Sequence, residues 1–142
     1  ASALAAGFGV SLTHCDCAQQ VRLVTAHSRK GGLPEDLDWH ALADDNATTI
    51  FYMGGRMAPR ISERLIAEGL PAEIPVAVAA NLSRDDETRG VGTLAGLGAL
   101  VERVGVDRPI LIGVGRVFSE CEANVTEGYE PVGMSRLPAR VA

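Results

Sequence analysis

The run Thr48-Thr49-Ile50-Phe51-Tyr52-Met53-Gly54-Gly55-Arg56-Met57 joins a β-branched and aromatic stretch to a glycine pair. It reads as a strand that stops at a tight turn and then opens a helix. In open α/β sheets small molecules bind at the carboxyl ends of strands, where such a turn brings a ligand against the backbone. Met53 adds a polarizable, adaptable surface for a flat, partly apolar ligand. The same residues also fit a plainer role, with Met53 in the core and Gly54-Gly55 as a simple turn. A second strand end, Ala80-Asn81-Leu82, follows the apolar run Pro75-Val76-Ala77-Val78-Ala79. Two such strands joined by a crossover helix finish at one edge of a sheet, so Met53 and Asn81 are expected to border one site.

Other chemistries lack their residues. There is no G-x-x-x-x-G-K-[ST], and Gly113-Val114-Gly115 has no third glycine in register. His14, His27 and His40 stand in no H-E-x-x-H or Ser/His/Asp context, and His27 and His40 read as surface or satisfied side chains. Arg22, Arg29 and Lys30 suit either an anionic substrate or a solvated basic patch. Cys15-Asp16-Cys17 is too closely spaced for an ordinary structural zinc pair. Cys121 adds no second pair, so no metal site is expected and the thiols read as free in a reducing compartment. Asn124-Val125-Thr126 matches a glycosylation acceptor but reads as incidental.

The elements that must position the site follow from periodicity. Val21 to His27 reads as a strand, Ser28 to Asp38 as a loop, and Asp38 as the cap of a short helix through Trp39 and Leu42. After the strand Thr48 to Met53, Pro59 suits the first turn of a helix that ends at Gly69, with Ile61, Leu65 and Ile66 apolar and Arg64 and Glu68 spaced to pair. Pro75 to Ala80 and Pro109 to Val114 are strands. Thr88 to Thr93 is a weaker one, and Leu94 to Val104 is a helix closing at Gly105. Gly96 and Gly98 each disfavour that helix by about 1 kcal/mol relative to Ala, for which close packing is the expected reason. Beyond Phe118 periodicity is lost, and residues 119–142 read as an acidic segment and tail. The strand–helix–strand order predicts one α/β domain over residues 1–118. Its sheet is expected to be mixed and mostly parallel, with about five strands and flanking helices.

Composition sets the outer limits. A chain of 142 residues is long enough for one core. Hydrophobic content of 46% and mean hydropathy of +0.12 indicate a globular chain, and 4% aromatic content makes that core aliphatic. A net charge of −5 speaks against a broad nucleic-acid surface. No apolar run approaches the roughly 20 residues of a membrane span, and Ala1 to Gly9 lacks the basic start of a signal peptide. A cytoplasmic protein is expected, and the start without Met reads as a piece of a longer one.

The ordered set Leu12-Thr13-His14, Val21 to His27 with Gly31-Gly32, Leu37-Asp38-Trp39, Phe51-Tyr52-Met53-Gly54, Pro75 to Val78, Asn81 with Ser83-Arg84, Gly92-Thr93-Leu94 and Ile112-Gly113 carries a resemblance. It is similar to the C-terminal half of the uroporphyrinogen-III C-methyltransferases, a branch of the tetrapyrrole methylase family that includes the methylase module of sirohaem synthase. The resemblance implies S-adenosylmethionine as methyl donor, uroporphyrinogen III as acceptor, precorrin-2 for sirohaem or cobalamin synthesis as product, and a homodimer. It also implies Met53, Gly54, Asn81 and Leu82 against the cofactor, and Thr13 and His14 toward the substrate cleft. The family's Gly-Pro-Gly-Asp loop and its acid/base candidates belong to an N-terminal half absent here. The catalytic residues are therefore unknown, and the chain alone is expected to fold without turning over. Cys15, Cys17, Ala80 and Leu82 depart from the family pattern. One competing reading is another methyltransferase of the family, against which the Tyr-Met-Gly context counts; the departures support a second, a non-catalytic binding or dimerisation module.

Overall fold

The computed structural model describes residues 1–120. The element order is α1 (Ser2–Phe8), β1 (Gln20–Thr25), α2 (Trp39–Leu42), β2 (Ala47–Tyr52), α3 (Ala58–Ala67), β3 (Pro75–Ala80), β4 (Thr88–Thr93), α4 (Leu97–Val104) and β5 (Ile110–Val114). Short 3₁₀ turns occupy Leu94–Gly96 and Arg116–Glu120. The expected tail, Cys121 and the Asn124 acceptor lie outside the described residues.

The strands form one five-stranded sheet in the order β1-β2-β5-β3-β4. The α/β class and strand number agree with the sequence reading, but the expectation of mostly parallel pairing needs correction. Only β1 and β2 pair in parallel, whereas β2–β5, β5–β3 and β3–β4 are antiparallel. The cause is the last strand. β2 and β3 point the same way, as their connecting helix α3 requires, but β5 inserts between them in the opposite sense.

Local chemistry explains the elements. β2 is buried along nearly its whole length, as its unbroken Ile-Phe-Tyr run predicts for a strand covered on both faces. Asp38 caps α2 by accepting a hydrogen bond from the Ala41 N–H at 3.1 Å. Pro59 sits in the first turn of α3, and Gly69, with φ +104°, ends it. Gly98 of α4 faces Pro59 of α3, where an added Cβ would stand 3.2 Å from the proline ring, so close helix packing explains that glycine. Gly96 has only an ordinary contact to Thr93 and no such reason. Arg64 lies over the Trp39 ring while Glu68 neighbours His40, so the Arg64–Glu68 pair is not made among the described residues.

Alternation along the central strands separates two cores. Val76 and Val78 of β3, with Ile110, Ile112 and Val114 of β5, face α2, α3 and α4 together with Phe51, Ile61, Leu65, Leu97 and Leu100. Ser62 is buried in this layer and donates its hydroxyl to the Leu94 carbonyl at 2.6 Å. The other face presents small residues, Ala77, Ala79 and Gly113, and so lets Leu4 of α1 and Phe118 lie close to the sheet. Phe8 meets Phe118 edge to face at 6.4 Å. The helix α1 was not legible in the Ala/Gly-rich start; this apolar contact is what holds it. Among the described residues no helix is long and apolar enough to cross a membrane.

Candidate functional site

Because β1 and β2 are parallel and β3 shares their direction, all three finish at one edge of the sheet, where β5 begins. An open cleft of about 610 Å³ lies there. Its floor is largely apolar, with Met53, Leu82, Ile110 and Leu111, and its rim carries His27, Arg56, Arg84 and Asp107. Small-molecule sites have this make-up, a mostly apolar cavity of roughly 300–1,000 Å³ with a few polar groups around it.

The residue directly after each of β2 and β3 adopts a backbone conformation that side chains avoid. Met53, directly after β2, has φ +57°, and Asn81, directly after β3, has φ +51°. Left-handed backbone is common for Asn but rare for a long apolar residue. Such a conformation disfavours the folded state by about 1–3 kcal/mol per residue and clusters at ligand clamps. Met53 is also 61% exposed, so no core packing compensates for it.

Hydrogen bonds fix the opposite wall. Asn81 is buried, and its carboxamide Nδ2 donates to Asp86 Oδ2 at 2.7 Å. Its backbone N–H donates to the Pro109 carbonyl at 3.0 Å, tying the end of β3 to the loop that enters β5. Arg108, on that loop, donates to Thr88 Oγ1 at 2.9 Å and to the Asp86 carbonyl. Gly55 lets the β2 turn approach the same loop, since a Cβ there would stand 3.1 Å from the Val106 carbonyl oxygen.

Met53, Asn81 and Leu82 therefore line one cleft. Gly54 does not; it is buried behind the floor, where a Cβ would meet Ile61 at 3.1 Å and Ile112 at 3.3 Å. Thr13 and His14 are exposed and away from the cleft. His14 bridges to Ala18, just ahead of β1 and so at the entry side of the sheet, and its ring Nδ1 accepts from the Asp16 N–H at 3.1 Å. Sequence reasoning missed His27, Tyr52, Arg84 and the 105–109 loop. Parallel pairing of β1 would have brought His27 to the site, but placing the loop required knowing where β5 inserts. Among the described residues no cluster of three or more His, Cys, Asp or Glu side chains is arranged to hold a metal ion.

Comparison with known proteins gives the family and the fold. Residues 1–98 match the family model of tetrapyrrole (corrin/porphyrin) methylases. Siroheme synthase 2 of Cronobacter sakazakii is 44% identical over 119 residues, 84% of this chain and 25% of that protein. Siroheme synthase of Citrobacter koseri is 47% identical over an equal length and share. Uroporphyrin-III C-methyl transferase from Thermus thermophilus, solved in complex with S-adenyl homocysteine, superposes with a TM-score of 0.67 at 26% identity, over 83% of this chain and 50% of its own. A cobalt precorrin-4 methyltransferase shares the fold, with a TM-score of 0.71 at 24% identity over 80% of this chain and 47% of its own. The chain thus spans about a quarter of the length of these curated relatives and about half that of the solved ones. The chain belongs to the tetrapyrrole (corrin/porphyrin) methylase family.

Proposed function

We propose that the cleft is this chain's share of an S-adenosylmethionine site, in a methyltransferase acting on uroporphyrinogen III to give precorrin-2 for sirohaem or cobalamin synthesis. Residues 1–118 form the C-terminal methylase domain of that enzyme. The observation that carries this reading is the pairing of two left-handed strand ends, Met53 and Asn81, around one apolar cleft. The complex of the Thermus relative with S-adenyl homocysteine supports it.

The cleft fits a nucleoside thioether. Met53 and Leu82 offer apolar surface to a flat base, and the Asn81–Asp86 and Arg108 bonds hold the wall without help from the ligand. The donor supplies an electrophilic methyl group, and the electron-rich acceptor carbon displaces the thioether in line. Protein groups accelerate such a transfer mainly by holding the partners at roughly 3–3.5 Å and excluding water. The task of this chain is therefore to bind and orient. Acid/base chemistry is assigned to the N-terminal half of the enzyme, so the chain by itself binds the donor but does not form precorrin-2.

Isothermal titration with S-adenosylhomocysteine tests this reading. Saturable binding is expected, weakened about 5- to 30-fold by Met53→Ala, the ratio that corresponds to one or two kcal/mol of lost apolar contact. Met53 is exposed and Ala meets the same backbone demand, so the melting temperature should not change. Equal affinity in both proteins would contradict the assignment.

A further inference from the structure

The cleft inverts the charge of the chain that builds it. The sequence carries a net charge of −5, yet the charged side chains lining the cleft are Arg56, Arg84 and Arg108 against Asp107 alone. Most of these groups are already engaged. Arg56 Nη2 donates to Asp107 Oδ1 at 2.9 Å, and Arg108 is bound to Thr88 and the Asp86 carbonyl. Two carboxylates of the neighbouring turn, Asp86 and Glu87, are engaged as well. Asp86 accepts from Asn81, while Glu87 accepts from the Ser83 N–H at 2.7 Å and lies 3.3 Å from Arg89 Nε. Among the described residues the guanidinium of Arg84 makes no hydrogen bond or ion pair.

The turn beneath Arg84 is fixed even though its side chain is not. Asn81 and Ser83 are both left-handed, the latter with φ +65°. The Arg84 N–H donates to the Asn81 carbonyl at 3.0 Å, and the Arg84 carbonyl accepts from the Glu87 N–H at 3.1 Å. An exposed guanidinium that makes no ion pair among the described residues is thus held on a rigid turn at the rim of an apolar cleft. A guanidinium matches a carboxylate with two parallel N–H···O bonds, and a basic cleft concentrates anions on an otherwise acidic protein.

We propose that Arg84 is a carboxylate-binding site at the rim of this cleft, selecting a ligand that pairs a flat apolar body with a carboxylate. The inference deepens the methyl-donor reading and rests on it. The carboxylate has two possible sources, the amino-acid end of the thioether nucleoside and an acidic side chain of the tetrapyrrole.

Calorimetry on the 142-residue chain, its Arg84→Gln variant and its Arg84→Lys variant tests this with three probes. These are S-adenosylhomocysteine, 5′-methylthioadenosine, which lacks the amino-acid end, and uroporphyrin III. Losing a charged hydrogen-bond partner is expected to weaken a carboxylate probe by about 10- to 100-fold, with Arg84→Lys in between. Methylthioadenosine should bind all three proteins alike, and this binding reports on the underlying nucleoside reading. A loss confined to S-adenosylhomocysteine assigns the carboxylate to the donor, and a loss confined to uroporphyrin assigns it to the acceptor. If Arg84→Gln binds both carboxylate probes as tightly as the parent chain, the anchor is overturned while the nucleoside reading stands. Binding of none of the probes overturns both.

Discussion

Phe51→Ala is expected to lower the unfolding free energy by about 3–5 kcal/mol, a large part of the 5–15 kcal/mol that holds a typical domain together. Phe51 is fully buried in the second residue from the end of β2, and its ring stacks on Trp39 with centroids 6.5 Å apart. Removing it leaves a cavity between the sheet and α2 that neither rigid neighbour fills. Chemical denaturation followed by Trp39 fluorescence measures the loss, since the probe sits against the deleted ring. The site should suffer with the fold, because Tyr52 and Met53 follow directly on the same strand. A change below about 1 kcal/mol would mean that β2 is not the buried interior strand described here.

Gly113→Ala is expected to act by overfilling. A Cβ at this position in β5 would fall 2.5 Å from Phe118 Cζ and 3.1 Å from Leu4 Cδ2. Both neighbours are buried, so the added methyl must push the C-terminal turn or α1 away from the sheet. Overpacking of this kind destabilises by about 1–3 kcal/mol, which for a domain of this size lowers the melting temperature by about 3–12 °C. Differential scanning calorimetry gives the shift. The companion variant Phe118→Leu should recover part of it when combined with Gly113→Ala, because the clash is with the ring tip. Additive losses in the double variant would show that the two residues do not meet.

The contrast between these positions shows what could be read from the residues. β2 was legible because a buried interior strand announces itself as an unbroken apolar run, and β3 because Pro75 and Asn81 bound it sharply. Both ends of α3 were marked by Pro59 and Gly69. The glycine pair after Met53 signalled the turn, and two strands joined by a helix implied a shared edge, so Met53, Asn81 and Leu82 could be placed together before the sheet was known. Gly113 was different. Its lack of a side chain reflects a ring that approaches from Phe118, only five residues on but across a sheet face, and periodicity carries no trace of that. Strand order was hidden for the same reason. β5 pairs with β2 and β3 through backbone contacts that no spacing in the sequence encodes, so a parallel neighbour was expected where an antiparallel strand lies. The 105–109 loop reached the cleft only through that insertion, whereas Arg84 stands in the turn directly after β3. Thr13 and His14, which the resemblance puts toward the substrate cleft, are not among the residues that line this one.

The claim that the strand-end cleft holds the methyl donor is tested most directly by mapping where it binds. In a titration of isotopically labelled chain with S-adenosylhomocysteine, amide resonances of Met53, Leu82 and the 105–109 loop should shift together and saturate together, while those of Gly31 and His14 stay in place. Shifts centred on residues 13–18, or a cleft whose resonances do not respond, would contradict it.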